Sequence, residues 1–183
     1  MNRISISPHQ LVLPAIQTWA HRWPLLTAGD FDTGRFNTMT VGWGGLGVMW
    51  NKPTAMVVVR PSRYTAAFME DYDTFTLSVL PETHRDALRI CGEQSGRDVD
   101  KIKLAGLTPI PSLIVGAPGF DEAELLIECR KMYTVPFEAD RFLDPQIAKH
   151  YPDGDLHLMT FGEIVAVHGT SSYSAPASPQ ENS

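Results

Sequence analysis

Cysteine is scarce: the 183 residues hold two, Cys91 and Cys129, far apart and in no C-x-x-C spacing. That argues against a redox dithiol and against a thiolate metal cluster, and a disulfide between them is disfavoured in a reducing compartment. Histidine is equally uninformative as a ligand source, since the six at 9, 21, 84, 150, 157 and 168 show no H-x-x-x-H or H-E-x-x-H spacing, and no metal is expected. A G-x-S-x-G nucleophile elbow is missing, as is a Walker A loop. Excess positive charge is missing too: the net charge of −6 and the pI near 5.4 speak against nucleic acid as a partner. No apolar run is long enough to span a bilayer, and Met1 to Ser7 lacks the apolar centre of a secretory signal. The expectation is a cytoplasmic protein with no membrane partner.

With 43% hydrophobic residues the chain can bury one core, expected as a single domain over residues 1–169, with a Ser/Pro-rich tail at 170–183 expected to be disordered. The segment before Pro24 reads as a short helix or a lead-in strand. Six strands are expected: Leu25 to Asp30, a glycine-loosened Thr38 to Trp50, Ala55 to Arg60, the alternating Thr74 to Leu80, a long one within Glu122 to Phe137, and His157 to His168. Helices are expected at Tyr64 to Asp71, from Glu82 to Cys91 with Gly92 as its C′ residue, at Ile102 to Ala105 and at Pro145 to His150. Thr108 to Gly119, rich in proline and glycine, reads as an irregular excursion with one short strand. Strands without regular βαβ alternation point to a mainly β chain, an antiparallel barrel with helices at its rim.

Three strings carry chemistry. Arg60-Pro61-Ser62-Arg63-Tyr64-Thr65 ends an apolar strand with two guanidinium groups and hydroxyls at the start of a helix, a composition suited to an anion. Taken alone, it is equally an ordinary strand-to-helix junction with Ser62 as N-cap. Cys91 to Lys101, C-G-E-Q-S-G-R-D-V-D-K, offers a Ser95-Gly96 pair where backbone can approach an anion and a lysine to add charge, yet it also reads as a helix end and a solvated loop. Asn37 to Gly44, N-T-M-T-V-G-W-G, places Asn37, Thr40 and Trp43 where they suit a heterocycle, with a core Trp43 as the plainer reading. Glycines at 42, 44, 45 and 47 leave room beside the backbone for a flat ligand. A phosphate at one end and a planar group at the other describe a nucleotide or a flavin.

Together and in this order, these strings, with W-N-K-P and L-P-E, resemble the flavin reductase-like, FMN-binding split-barrel family, specifically its flavoredoxin-like branch. The likeness runs from about Asn37 to His168. It implies a six-stranded antiparallel split β-barrel, a homodimer with FMN near the subunit interface, and NADH or NADPH as electron donor. It implies that Asn37, Met39, Thr40 and Trp43 lie near the ring and ribityl parts, and that Arg60, Ser62, Arg63, Thr65, Ser95, Gly96 and Lys101 hold phosphate or line the pocket. Lys101 is the candidate for a positive group beside the flavin. The implied activity is an oxidoreductase whose chemistry belongs to the cofactor, with no catalytic side chain, passing electrons to a flavin, a small molecule or a redox protein partner. The alternatives are an electron carrier with tightly bound FMN, or a split-barrel binding protein for another ligand.

Overall fold

A computed structural model describes residues 2–176. The strands are β1 (Ile4–Ile6), β2 (Leu25–Asp30), β3 (Arg35–Thr40), β4 (Gly44–Met49), β5 (Lys52–Val59), β6 (Thr74–Val79), β7 (Pro109–Ile110), β8 (Gly119–Phe120), β9 (Leu125–Pro136) and β10 (Leu158–Gly169). The α-helices are α1 (Ala15–Gln17), α2 (Tyr64–Asp71), α3 (Arg85–Glu93) and α4 (Lys101–Leu104), and the helices expected from Glu82 and at Pro145 to His150 include 3-10 turns at Glu82–His84 and Pro145–His150. An eight-stranded antiparallel sheet runs β3-β2-β6-β9-β10-β5-β4, with β1 added on β10, and β7 and β8 form a small separate pair. The mainly β, antiparallel class with peripheral helices is therefore as expected.

Two departures turn six strands into eight. Ile4–Ile6 pairs with Val167 to Gly169 and becomes β1. Thr38 to Trp50, expected as one strand, breaks at Val41 to Trp43, where the Val41 amide bonds to the Pro24 carbonyl. Its first half pairs with β2 and its second with β5. The second half starts against Trp19, for a Cβ at Gly44 would sit 2.4 Å from the Trp19 ring. The room expected beside that glycine for a flat ligand is filled by Trp19. The β4–β5 hairpin turns on Trp50 and Asn51, both at positive φ (52° and 59°), as a two-residue turn of the primed type demands.

Central strands are buried on both faces, so β9 begins as the continuous buried run Leu125 to Cys129. Phe75, Leu77, Val79, Leu125 and Ile127 are at most 1% exposed, each contributing about 1.5–3 kcal/mol by leaving water. α2 packs Phe68 and Met69 onto this core, while α3 packs Ala87, Leu88 and Cys91 against Leu25, Leu80 and Phe120. α3 runs one residue past Gly92, to Glu93, so Gly92 lies inside the helix instead of ending it. The chain expected to leave the fold at Thr170 stays on it: Tyr173 is 5% exposed, takes a hydrogen bond from Arg22 and donates one to Glu124, and Ser174 bridges Leu11. The rest of the expected tail, 177–183, lies outside the described residues.

Candidate functional site

β3 is flanked by α2 and α3, so residues on it, at the start of α2 and beyond α3 meet at one rim of the sheet. A turn closed by Arg63 N–H to the Arg60 carbonyl (3.0 Å) leads from β5 into α2. Arg63, not Ser62, is the N-cap residue, and its side chain makes no cap bond. After α3, residues 94–100 loop back and α4 opens at Lys101, capped by the Asp100 carboxylate on the Lys103 amide.

Ser62, Arg63, Thr65, Ser95 and Lys101 line a cavity of about 360 Å³. Asn37, Gly96 and Lys101 line a broader neighbouring cleft of about 790 Å³. Tyr64, Arg97, Asp98 and Lys101 border both. Arg97 lies over the Tyr64 ring (4.9 Å) and bonds to the Ser62 carbonyl (3.2 Å), fastening the two segments together. Gly96 is held against Asn37: a Cβ there would sit 2.2 Å from Asn37 Oδ1. Asn37 Nδ2 in turn donates to Thr65 Oγ1 at 2.8 Å, so the floor is a chain of fitted contacts from β3 to both loops.

Lys101 is the electrostatic centre. It is 3% exposed, and its Nζ donates to the Cys91 and Gln94 carbonyls, each at 3.1 Å. Burial, above all, pushes its pKa down to about 8, with the Arg63 charge acting the same way and Cys91 opposing. Burial and then Arg60 likewise push Arg63 down, and Arg63 Nη2 rests on the Gly92 carbonyl at 2.5 Å. Among the described residues, neither Arg63 nor Lys101 has a carboxylate within ion-pair distance. A buried cation is ordinarily paired; buried Lys101 and half-buried Arg63, left facing one cavity, suit an anion.

The other sequence-derived residues lie elsewhere. Met39 is in the main core. Thr40 Oγ1 donates to the Leu88 carbonyl (2.5 Å). Trp43 lines a separate hollow with Trp19 and Trp23 and sits 5.3 Å from His150 and 5.0 Å from His157. Arg60 turns from the cavity to the β9–β10 connection, donating to the carbonyls of His150 (2.7 Å) and Asp155 (3.3 Å). Asp155 was not singled out in sequence; its carboxylate takes hydrogen bonds from Ser62 Oγ (2.5 Å) and the Ser62 amide (3.3 Å). Lying 93 residues from Ser62 and in no motif, it left no local signal. Tyr64 and Arg97 stand inside the strings already noted.

The flavin reductase-like domain model matches residues 7–177. Similar solved structures include a flavoredoxin of Desulfovibrio vulgaris (Miyazaki F), 24% identical, covering 91% of this chain and 78% of that one with a TM-score of 0.65. Another is a flavoredoxin from Methanosarcina acetivorans, 24% identical, covering 97% and 82% with a TM-score of 0.66. A third is an FMN-binding domain of a flavin reductases-like enzyme from Shewanella baltica OS155, 17% identical, covering 96% and 85% at 0.68. At these identities the likeness is one of fold. No curated protein matches the chain.

Proposed function

The chain belongs to the flavin reductase-like domain family, and from that premise we propose that it is an FMN-binding oxidoreductase that takes hydride from NADH or NADPH and passes electrons to a flavin, small-molecule or protein acceptor. The observation that carries this reading is the convergence of Ser62, Arg63 and Thr65 with Ser95 and Lys101 on one cavity, where Glu93 and Asp98 also lie but, among the described residues, no carboxylate is within ion-pair distance of Arg63 or Lys101. When bound, FMN supplies the redox chemistry. The protein's part is to hold it: Arg63 and Lys101 offset the phosphate charge, while Ser62, Thr65 and Ser95 supply hydroxyl donors. The neighbouring cleft over Asn37 and Gly96, at about 790 Å³, has the size of a small-molecule site and suits the flat remainder of the cofactor. We include a homodimer in the proposal, supported by the exposed apolar edge at Val48 and Trp50, 70% and 56% exposed; sedimentation at micromolar concentration tests it.

An absorption spectrum of the purified protein, before and after soaking with FMN, tests the cofactor reading, and a preparation that stays colourless after gel filtration rejects it. Anaerobic NADH or NADPH then separates two roles: rapid bleaching of the flavin band is expected of a reductase. A coloured protein that neither bleaches would instead be an electron carrier, a reading favoured by the likeness to two flavoredoxins.

A further inference from the structure

We propose that Asp155 is an internal competitor for the anion site, a carboxylate of the chain that a bound phosphate must displace; the inference rests on the phosphate reading of the cavity at Ser62, Arg63 and Lys101. Ser62 lines that cavity, yet both its amide and its hydroxyl already donate to Asp155. These are the donors a phosphate would take, and a hydroxyl has a single proton to give. Among the described residues Asp155 forms no ion pair. Its carboxylate is held by the same kind of neutral donors that a loop before a helix offers to an anion.

The segment that carries Asp155 is built to be released. Residues 137–157 join β9 to β10 without strand pairing, and Leu143 within them is 97% exposed. Much of its cohesion is internal: Phe142 stacks on Tyr151 at 5.7 Å, and the Tyr151 hydroxyl bonds His157 Nδ1 at 2.8 Å. Burial, then the Arg60 charge, pushes His157 down to about 4, so this bond is made by a neutral ring at pH 7. Besides the two strand ends, the segment is attached to the body through Ser62, through Arg60 on the His150 and Asp155 carbonyls and over the Tyr151 ring (5.0 Å), and through Trp43 beside His150 and His157. An anion that captures Ser62 removes one of these contacts. Anion binding and anchoring of 137–157 therefore oppose each other, and the opposition is reciprocal.

The test compares wild type with Asp155→Asn and Asp155→Ala, titrated with FMN and, separately, with inorganic phosphate. Loss of the competing carboxylate is expected to tighten both by about three- to tenfold, the worth of one displaced charged hydrogen bond at a partly exposed site. Limited trypsin digestion supplies an independent readout. Saturating phosphate should speed wild-type cleavage at Arg141 and Lys149, and both variants should show that faster cleavage without ligand. Unchanged or weaker binding in both variants, or a wild-type segment no more open to trypsin with phosphate, overturns the inference and makes Asp155 a plain loop anchor. Wild type that binds neither probe would overturn the phosphate reading itself, and this inference with it. Should Asp155→Ala not fold, Asp155→Asn and the wild-type digestion decide.

Discussion

Among the described residues two charged groups of opposite sign, Glu128 and Lys101, are buried, and they are buried differently. Glu128, in β9, is fully enclosed and accepts three successive backbone amides, from Leu113 (2.9 Å), Ile114 (2.7 Å) and Val115 (3.2 Å), with His168 Nε2 at 3.5 Å. Lys101 is nearly as enclosed, but it borders two cavities and spends two of its three protons on carbonyls. The first charge is satisfied within the fold and pins the Thr108 to Gly119 excursion. The second keeps one proton for something else. Burial alone does not mark a functional charge; unfinished coordination beside open space does.

The comparison can be broken most forcefully at Glu128. Glu128→Ala leaves three amides without an acceptor and should cost about 2–4 kcal/mol in chemical denaturation, with FMN affinity unchanged. A loss of FMN affinity at full stability would reverse the assignment. Lys101→Met should do the opposite: stability equal or higher, because an uncompensated buried cation is removed, and FMN affinity reduced by about tenfold or more.

A subtler distinction is in pH. Folding lowers the Lys101 pKa from its ordinary 10.5 to about 8, so between these values the unfolded chain holds more protons than the ligand-free native one. Stability of the ligand-free protein should therefore rise from pH 8 towards 10.5, while FMN affinity falls as pH passes 8 and Lys101 loses its charge. Lys101→Met should flatten both trends. The smallest effect is expected at Trp43, which lines a different hollow: Trp43→Phe should change FMN affinity less than about twofold. A tenfold loss would instead bring Trp43 into the site, by way of a second copy.

Much of this was legible in the chain. Alternation and a β-branched run marked β5, β6 and β9, because strands between two packed faces leave a direct hydrophobic trace. The helix Tyr64–Asp71 was legible too, whereas the meeting of R-P-S-R-Y-T with the Ser95 to Lys101 loop was implied by the family resemblance and by neither string alone. The division of Thr38 to Trp50 was not legible, because the groups met there, the Pro24 carbonyl at Val41 and Trp19 at Gly44, come from a segment with no motif. Nor was the docking of Tyr173, whose partners Arg22 and Glu124 are remote in sequence. Met39 and Thr40 sit in the same string as Asn37, yet Thr40 takes the opposite face of the strand and bonds the Leu88 carbonyl, while Met39, on the face of Asn37, is taken up by the core.

The pairing of β1 with the end of β10 has a consequence for synthesis. Ile4 to Ile6 meet their partners only when Val167 to Gly169 have been made, and Arg22 waits still longer for Tyr173. β1 must therefore wait for its strand partner while the intervening chain emerges at about 5–20 residues per second.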